Sequence, residues 1–407
     1  MRLFPHQEVA RDFLLEKKRA MLCDQPRVGK TLGCVAAAIQ HQPVLIVCPA
    51  VAKRVWQRAF QAFGVDSLVI QGRAAAIGAQ ANGVVIVNYD LLPNLKNING
   101  WATLVLDESH RIQNPKAART KAAMKLMKVT ERVYCLSGTP IPNRPANLWT
   151  VLHGLGIYKG SWLNFVYRYC RAWQSPWGLD VSGAANLPEL KAKMQPWVLR
   201  RKREDVFKDY QQPVVQLVEL DLPVDKREKT FDADALVINP NLVLAIEGLS
   251  EIMREGGMRK VPSAVDFISN KLQAEPDEAL VVFCWHKDVA EWLHGSLALH
   301  KPVMIIGDTP AAKRQEAIDK FQAGESKVMV GNISSLGEGV DLSRANTVIF
   351  VESTWATSAL EQASARVENI NKAAQAPLIY ILTIRNSLDH LVLSKVVKKS
   401  NVIEQIL

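Results

Sequence analysis

The sequence predicts an α/β protein of two lobes, each a parallel sheet covered by helices, with helical protrusions between them. Two observations carry this. Short apolar, β-rich runs alternate with helical stretches through the first 136 residues, and the same rhythm restarts near residue 279. Strands separated by helices are joined by crossovers, and crossovers build parallel sheets with both faces covered. A third observation locates the chemistry. Gly29-Lys30-Thr31, Asp107-Glu108-Ser109-His110 and Ser137-Gly138-Thr139-Pro140 each follow an apolar run, at the carboxyl ends of strands, where open α/β sheets bind ligands.

Taken in order, strands are expected at 19–23, 44–47, 84–87, 103–106 and 133–136, with helices over 50–63 and 116–128. Residues 145–210 are rich in Trp, Tyr, Arg and Lys at helical spacing and predict a helical protrusion. Residues 223–275 also look helical, with a break at Gly256-Gly257. Strands return at 280–283, 303–306, 327–330, 347–351 and 378–382. The expected division is a first lobe over 1–218, a helical connector or second protrusion over 219–275 and a second lobe over 276–407.

A chain of 407 residues is long enough for two or three domains with sizeable cores. Its 48% apolar and 22% charged residues are those of an ordinary globular protein. No apolar run reaches the length of a membrane span and no signal-type segment opens the chain, which predicts an intracellular protein. Fifty Lys and Arg against forty Asp and Glu leave a net charge of +10. That favours a polyanionic partner through counterion release, or serves only solubility. The six cysteines show neither metal-type nor disulfide-type spacing, and four of them lie in or beside apolar runs, as small hydrophobes do.

The three strings suit phosphoryl transfer. Gly29 lets backbone approach phosphate, Lys30 reaches β and γ oxygens, and Thr31 offers a hydroxyl to Mg²⁺ at a helix N-terminus. Asp107, following the strand Leu104-Val105-Leu106, is placed to hold the metal, and Glu108 to act as general base. The loop departs from the full G-x-x-x-x-G-K-[ST] pattern, because Asp24 stands at the first glycine position and Arg27 lies inside. Arg27 either adds charge beside the triphosphate or projects into solvent. The basic run Arg200-Arg201-Lys202-Arg203 receives no site. The aromatics from Trp162 to Trp177 either stack bases or form the core of the protrusion.

From Leu3 to about Leu393 the chain resembles the Swi/Snf-type DNA translocases of helicase superfamily two. Leu3-Phe4-Pro5-His6-Gln7 is similar to the adenine-recognising Q motif, although Gln7 could instead be a surface residue opening a helix. Asp107 to His110 resembles the metal and water-activating box, and Leu136 to Trp149 the coupling motif that follows. Phe165 to Val206 is similar to the annealing-helicase, fork-remodelling branch. Ala279 to Trp292 and Val328 to Phe350 resemble motifs four and five, and Trp355, Gln362-Ala363 and Arg366 motif six. There Val367-Glu368-Asn369 replaces a second arginine.

The resemblance implies two RecA-like lobes, ATP and Mg²⁺ as cofactors and double-stranded or branched DNA as partner, bound by a monomer. It implies catalytic roles for Lys30, Asp107, Glu108 and Arg366, and nucleotide contacts from Gln7, Arg27, Gly29, Lys30, Thr31, Gly337 and Arg366. Metal would fall to Thr31 and Asp107. DNA would fall to Lys53, Arg54, Trp56, Asn88, Tyr89, His286, Lys287, Ser334 and Ser335, and coupling to His110, Ser137, Thr139 and Gln362. The expected activity is DNA-dependent ATP hydrolysis driving translocation that remodels or reanneals DNA. The alternative is a DNA clamp whose hydrolysis has decayed through the altered motif six. The small size suggests a bare motor from a bacterium or phage-infected cell.

Overall fold

Strand pairing in this protein is parallel throughout two separate sheets. The computed structural model describes residues 1–138, 144–175, 178–208, 210–230, 248–336, 342–352, 366–367, 376–391 and 393. One unit ends at Val206 and a second begins at Phe207. Three expected functional residues, Thr139, Gly337 and Gln362, lie outside the described residues, as does Asn369.

In the first unit the strands are β1 (Arg19–Leu22), β2 (Val44–Cys48), β3 (Ser67–Val69), β4 (Val84–Asn88), β5 (Thr103–Leu106) and β6 (Arg132–Leu136). They are followed by an antiparallel pair, β7 (Trp173–Ser175) and β8 (Gly178–Asp180), and by β9 (Val198–Leu199). The sheet order is β3-β4-β2-β5-β6-β1-β9. Alternation along each strand sends side chains to opposite faces. Leu45 and Val47 of β2 join one core cluster while Val44, Ile46 and Cys48 join another. Both faces are therefore dry, which is why these strands read as continuous Val, Leu and Ile rather than as alternating patterns.

The segment 145–206 contributes Phe165, Val166, Tyr169, Leu190 and Met194 to the same cluster as Leu45 and Val47. Its aromatics thus divide by helical face: Phe165 and Tyr169 are core, while Tyr167 is 56% exposed on the same helix, Trp162–Tyr169. Beyond the expected helices it supplies β7, β8 and the edge strand β9, the last paired in parallel with β1.

The second unit contains β10 (Val214–Leu220), β11 (Leu280–Cys284), β12 (Val303–Ile305), β13 (Val328–Asn332), β14 (Thr347–Phe350) and β15 (Leu378–Ile384), ordered β10-β15-β14-β11-β13-β12. Residues 214–218, assigned by sequence to the first lobe, pair along β15 in this second sheet. The run was missed because Gln216 and Glu219 interrupt its apolar pattern at an exposed edge. Among the described residues no helix is long and apolar enough to cross a membrane.

The break expected at Gly256-Gly257 is absent. One helix runs from Leu249 to Ala274 through both glycines and Pro262. Val261, Ala264, Ile268 and Leu272 recur every three or four residues on its buried face, and that packing outweighs the poor helix propensity of Gly and Pro. Gly257 has a separate purpose: a Cβ there would stand 2.5 Å from Glu352 Oε1, whereas the nearest atom to one at Gly256 is Arg259 Nη2 at 3.8 Å. Glu352 is 3% exposed and accepts bonds from the Trp285 and His286 amides at 2.8 and 2.9 Å.

These neighbours give opposite expectations for adjacent glycines. Gly256→Ala should stabilise the chain by up to about 1 kcal/mol through helix propensity. Gly257→Ala should destabilise it by about 1–3 kcal/mol through the clash with a buried carboxylate. Urea midpoints of the two variants measure both signs.

Candidate nucleotide site

Sheet order brings the three strings together. β5, β6 and β1 are consecutive neighbours, with Leu106 opposite Cys135 and Leu22 opposite Leu136. Asp107-Glu108, Ser137-Gly138 and the loop 24–29 therefore leave the same edge of the sheet side by side.

The loop begins as an extension of the β1–β9 ladder. Cys23 N–H donates to Leu199 O at 2.7 Å and Gln25 N–H to Arg201 O at 3.0 Å. Asp24 consequently lies along a ladder and is absent from the residues with positive φ, so the glycine expected at this position is not needed. The turn comes later, at Arg27 (φ 71°) and Gly29 (φ 92°). Gly29 precedes the helix Lys30–Ala38, and a Cβ on it would fall 2.5 Å from Gln7 Nε2. Glycine is required there twice, by conformation and by contact.

Gln7 is 4% exposed, and its Oε1 accepts the Phe4 N–H at 3.0 Å. The structure thus places Gln7 against the loop rather than on the surface. Arg27 is half-buried.

The Lys30 ammonium donates to Asp24 O at 2.7 Å and Gln25 O at 3.2 Å. Burial pulls its pKa below the ordinary lysine range, while Glu108, Asp24 and Asp107 oppose the shift by charge. A Cβ on Gly138 would stand 3.5 Å from Lys30 Nζ and 3.0 Å from Pro26 Cγ, so the turn after β6 lies directly on the loop.

Asp107 is held from three sides. Trp56 Nε1 donates to its Oδ2 at 2.7 Å, the Glu108 amide to its Oδ1 at 3.1 Å, and the Tyr89 hydroxyl to its carbonyl at 2.7 Å. Burial first, and the neighbouring Glu108 charge second, raise its pKa to about 6, with the Trp56 bond pulling the other way. Glu108 sits at φ 48°, a left-handed conformation that costs a non-glycine residue energy and that clusters at functional positions. The Ser137 hydroxyl donates to Glu108 Oε2 at 3.4 Å, and His110 Nδ1 lies 3.1 Å from Ser137 Oγ. The expected coupling residues His110 and Ser137 are thus brought onto Glu108.

The DNA assignments fare differently. Trp56 and Tyr89 are 1% and 2% exposed, and their polar tips are spent on Asp107. There the Trp56 indole satisfies a buried carboxylate and the Tyr89 hydroxyl a backbone carbonyl. Asn88 is 8% exposed and donates to Asp90 Oδ2 at 3.3 Å. The Lys53 ammonium is half-buried and donates to Ile70 O at 2.7 Å, while Arg54 is exposed. In the second unit His286 Nδ1 lies 2.6 Å from Glu352 Oε1, Lys287 is exposed and paired with Asp308 at 2.7 Å, and Ser335 is 6% exposed. Ser334 belongs to the short helix Ile333–Leu336. Arg366, in the same unit, accepts the Leu342 N–H at its carbonyl at 3.2 Å.

With this geometry in place, comparison with known proteins is decisive. The SNF2-related domain profile matches residues 6–260. The chain belongs to the SNF2-related family. A helicase conserved C-terminal domain follows over 262–371. Similar proteins include the SWI/SNF-related matrix-associated actin-dependent regulator of chromatin subfamily A-like protein 1 of Xenopus tropicalis. It is 31% identical over 412 residues, covering 96% of this chain and 43% of the relative. The DNA annealing helicase and endonuclease ZRANB3 of Mus musculus is 25% identical over 433 residues, covering 98% of this chain and 40% of the relative.

The chain thus spans less than half the length of either of these two SNF2 relatives. Both come from animals, and neither speaks for the bacterial or phage source expected from size. Among solved structures, the Sulfolobus solfataricus SWI2/SNF2 ATPase core in complex with dsDNA aligns over 100% of this chain and 93% of that one, at 19% identity and a TM-score of 0.49.

The donor set suits Mg²⁺ with nucleotide. Among the described residues no group of three or more His, Cys, Asp or Glu could hold a metal ion. Mg²⁺ bound with phosphate needs only one or two protein oxygens, the number that the expected pair Thr31 and Asp107 would supply.

Asp107 carries a measurable cost. Its folded pKa of about 6 lies above the unfolded carboxylate value, so stability falls as pH rises from about 4 to about 6 and stays lower above that. Asp107→Asn loses one of the two accepted bonds but should flatten the fall in melting temperature between about pH 4 and about pH 6, since no carboxyl titrates there. Trp56→Phe, which removes a donor from that carboxylate, should lose about 1–3 kcal/mol at pH 7. Thermal melts across pH check both.

Proposed function

We propose that this chain is an ATP-dependent translocase on double-stranded DNA that remodels or reanneals DNA structures. The observation that carries the reading is that strand order sets the Lys30 loop, Asp107-Glu108 and Ser137-Gly138 side by side at one edge of the sheet, with the Lys30 ammonium on the Asp24 and Gln25 carbonyls. That is a charge arrangement suited to a triphosphate with its metal. Membership of the SNF2-related family supports it. The name "DNA annealing helicase" carried by the mouse relative supports the remodelling half.

In this reading Lys30 exchanges the Asp24 and Gln25 carbonyls for β and γ oxygens of ATP, and the amides opening the helix Lys30–Ala38 face the phosphates. Thr31 and Asp107 would hold Mg²⁺, which would supply charge to offset the phosphate oxygens. Glu108, oriented by Ser137 and His110, accepts a proton from the attacking water as its oxygen bonds to the γ-phosphorus. The bond from that phosphorus to the ADP oxygen breaks, and ADP and phosphate leave. Arg366 is the proposed cation on the transferring phosphoryl group, and its loss should cost a factor of about 10³ or more in turnover. Arg54 and Lys287 are the proposed phosphate contacts on DNA.

ATP turnover on single-stranded, duplex and forked DNA at fixed salt tests this, since salt alone shifts such affinities strongly. The expected result is a DNA-stimulated rate that Lys30→Ala reduces by about 10²-fold or more, with little displacement of a strand from a tailed duplex. Flat turnover with DNA binding retained would instead indicate a clamp. Efficient strand displacement would indicate an unwinding helicase.

A further inference from the structure

We infer that Arg201 is a positioning residue for the phosphate loop, acting through the buried carboxylate of Asp24, and that this pair ties the nucleotide grip to the chain leaving for the second unit. The inference deepens the ATPase reading and rests on it for its catalytic consequence.

Asp24 is fully buried. Its Oδ1 accepts the Arg201 amide at 2.9 Å and Arg201 Nε at 3.1 Å, and its Oδ2 accepts Arg201 Nη2. The remaining guanidinium nitrogen, Nη1, donates at 2.5 Å to the carbonyl of His6 in the helix Pro5–Lys17. One planar fork therefore joins three pieces distant in sequence: the N-terminal helix, the first residue of the loop and the strand end after β9. Neighbouring bonds reinforce it. Arg203 N–H donates to Gln25 Oε1 at 2.9 Å, and the His6 ring nitrogen Nε2 lies 2.9 Å from Val28 O.

Two consequences follow. The carbonyls of Asp24 and Gln25 cradle the Lys30 ammonium, so whatever fixes residues 24 and 25 fixes the resting place of the phosphate-binding lysine. Arg201 also lies only a few residues before the first unit ends at Val206. The tether to the second unit is thus clamped to the loop itself, and tension on residues 202–206 reaches Asp24 through bidentate bonds instead of through flexible backbone. A buried ion pair adds little net stability compared with apolar packing, but a bidentate arginine fixes orientation strongly.

The test uses the full chain. Arg201→Lys keeps the charge and loses the fork; Asp24→Asn removes charge at nearly constant shape, and Arg201→Gln removes both the charge and the fork. Amide hydrogen exchange without nucleotide should accelerate across residues 24–30 in each folded variant while the β2–β4 ladder stays protected. KM for ATP should rise about tenfold or more, and the ratio of DNA-stimulated to unstimulated turnover should fall towards one. The double variant Asp24→Asn/Arg201→Gln should be no worse than the poorer single, as expected for one coupled pair.

Unchanged loop exchange in folded Arg201→Lys would overturn the inference, as would effects of the two residues that simply add. Accelerated exchange in a chain whose wild type neither binds nor hydrolyses ATP would leave the latch standing and remove the ATPase reading instead.

Discussion

Much of the first unit answers to one electrostatic constraint, keeping an ammonium charged where little water reaches it. Burial pulls the Lys30 pKa down, and the charges of Glu108, Asp24 and Asp107 oppose that shift. Each carboxylate then needs its own support. Asp24 takes an arginine fork, Asp107 takes an indole and a backbone amide, and Glu108 takes a serine hydroxyl backed by a histidine. The local packing follows from these needs. Trp56, among the largest fully buried side chains, serves as much as a hydrogen-bond donor as a piece of core. The resulting site is dense with charge at rest, a state that an incoming polyphosphate and metal would relieve.

The constraint also accounts for what was legible in the amino-acid order. Runs such as Val44–Cys48 and Leu280–Cys284 are buried on both faces, so composition alone marks them as strands and their boundaries agree within a residue or two. That the strings holding Lys30, Asp107, Glu108, His110 and Ser137 would meet was legible because each follows a strand and those strands are neighbours. Asp24 was read as an irregularity for want of knowing that β9 continues the ladder beside it.

The rest escaped because it depends on partners far away in sequence. Nothing near Trp56 or Tyr89 tells whether an aromatic beside basic residues will meet DNA or turn inward, since the deciding acceptor, Asp107, belongs to another strand. Arg201 lay in a basic run that ordinarily faces solvent, and its acceptor is 177 positions earlier. Gly257 read as a helix breaker because the carboxylate it admits, Glu352, enters from across the unit. The edge strands β3 and β10 were missed for a different reason, since half-solvated edges carry mixed composition.

Pairing in both sheets also bears on the order in which the chain can be built. The earliest strand to leave a ribosome, β1, has β6 and β9 as its neighbours among the described residues, so it waits for residue 132 and beyond before its own ladder can form. β10 waits longer, since its partner β15 is the last strand of that sheet among the described residues. Each nascent half therefore carries an unpaired strand segment through much of its synthesis. A premature stop before residue 378 would leave β10 without the β15 ladder it pairs with.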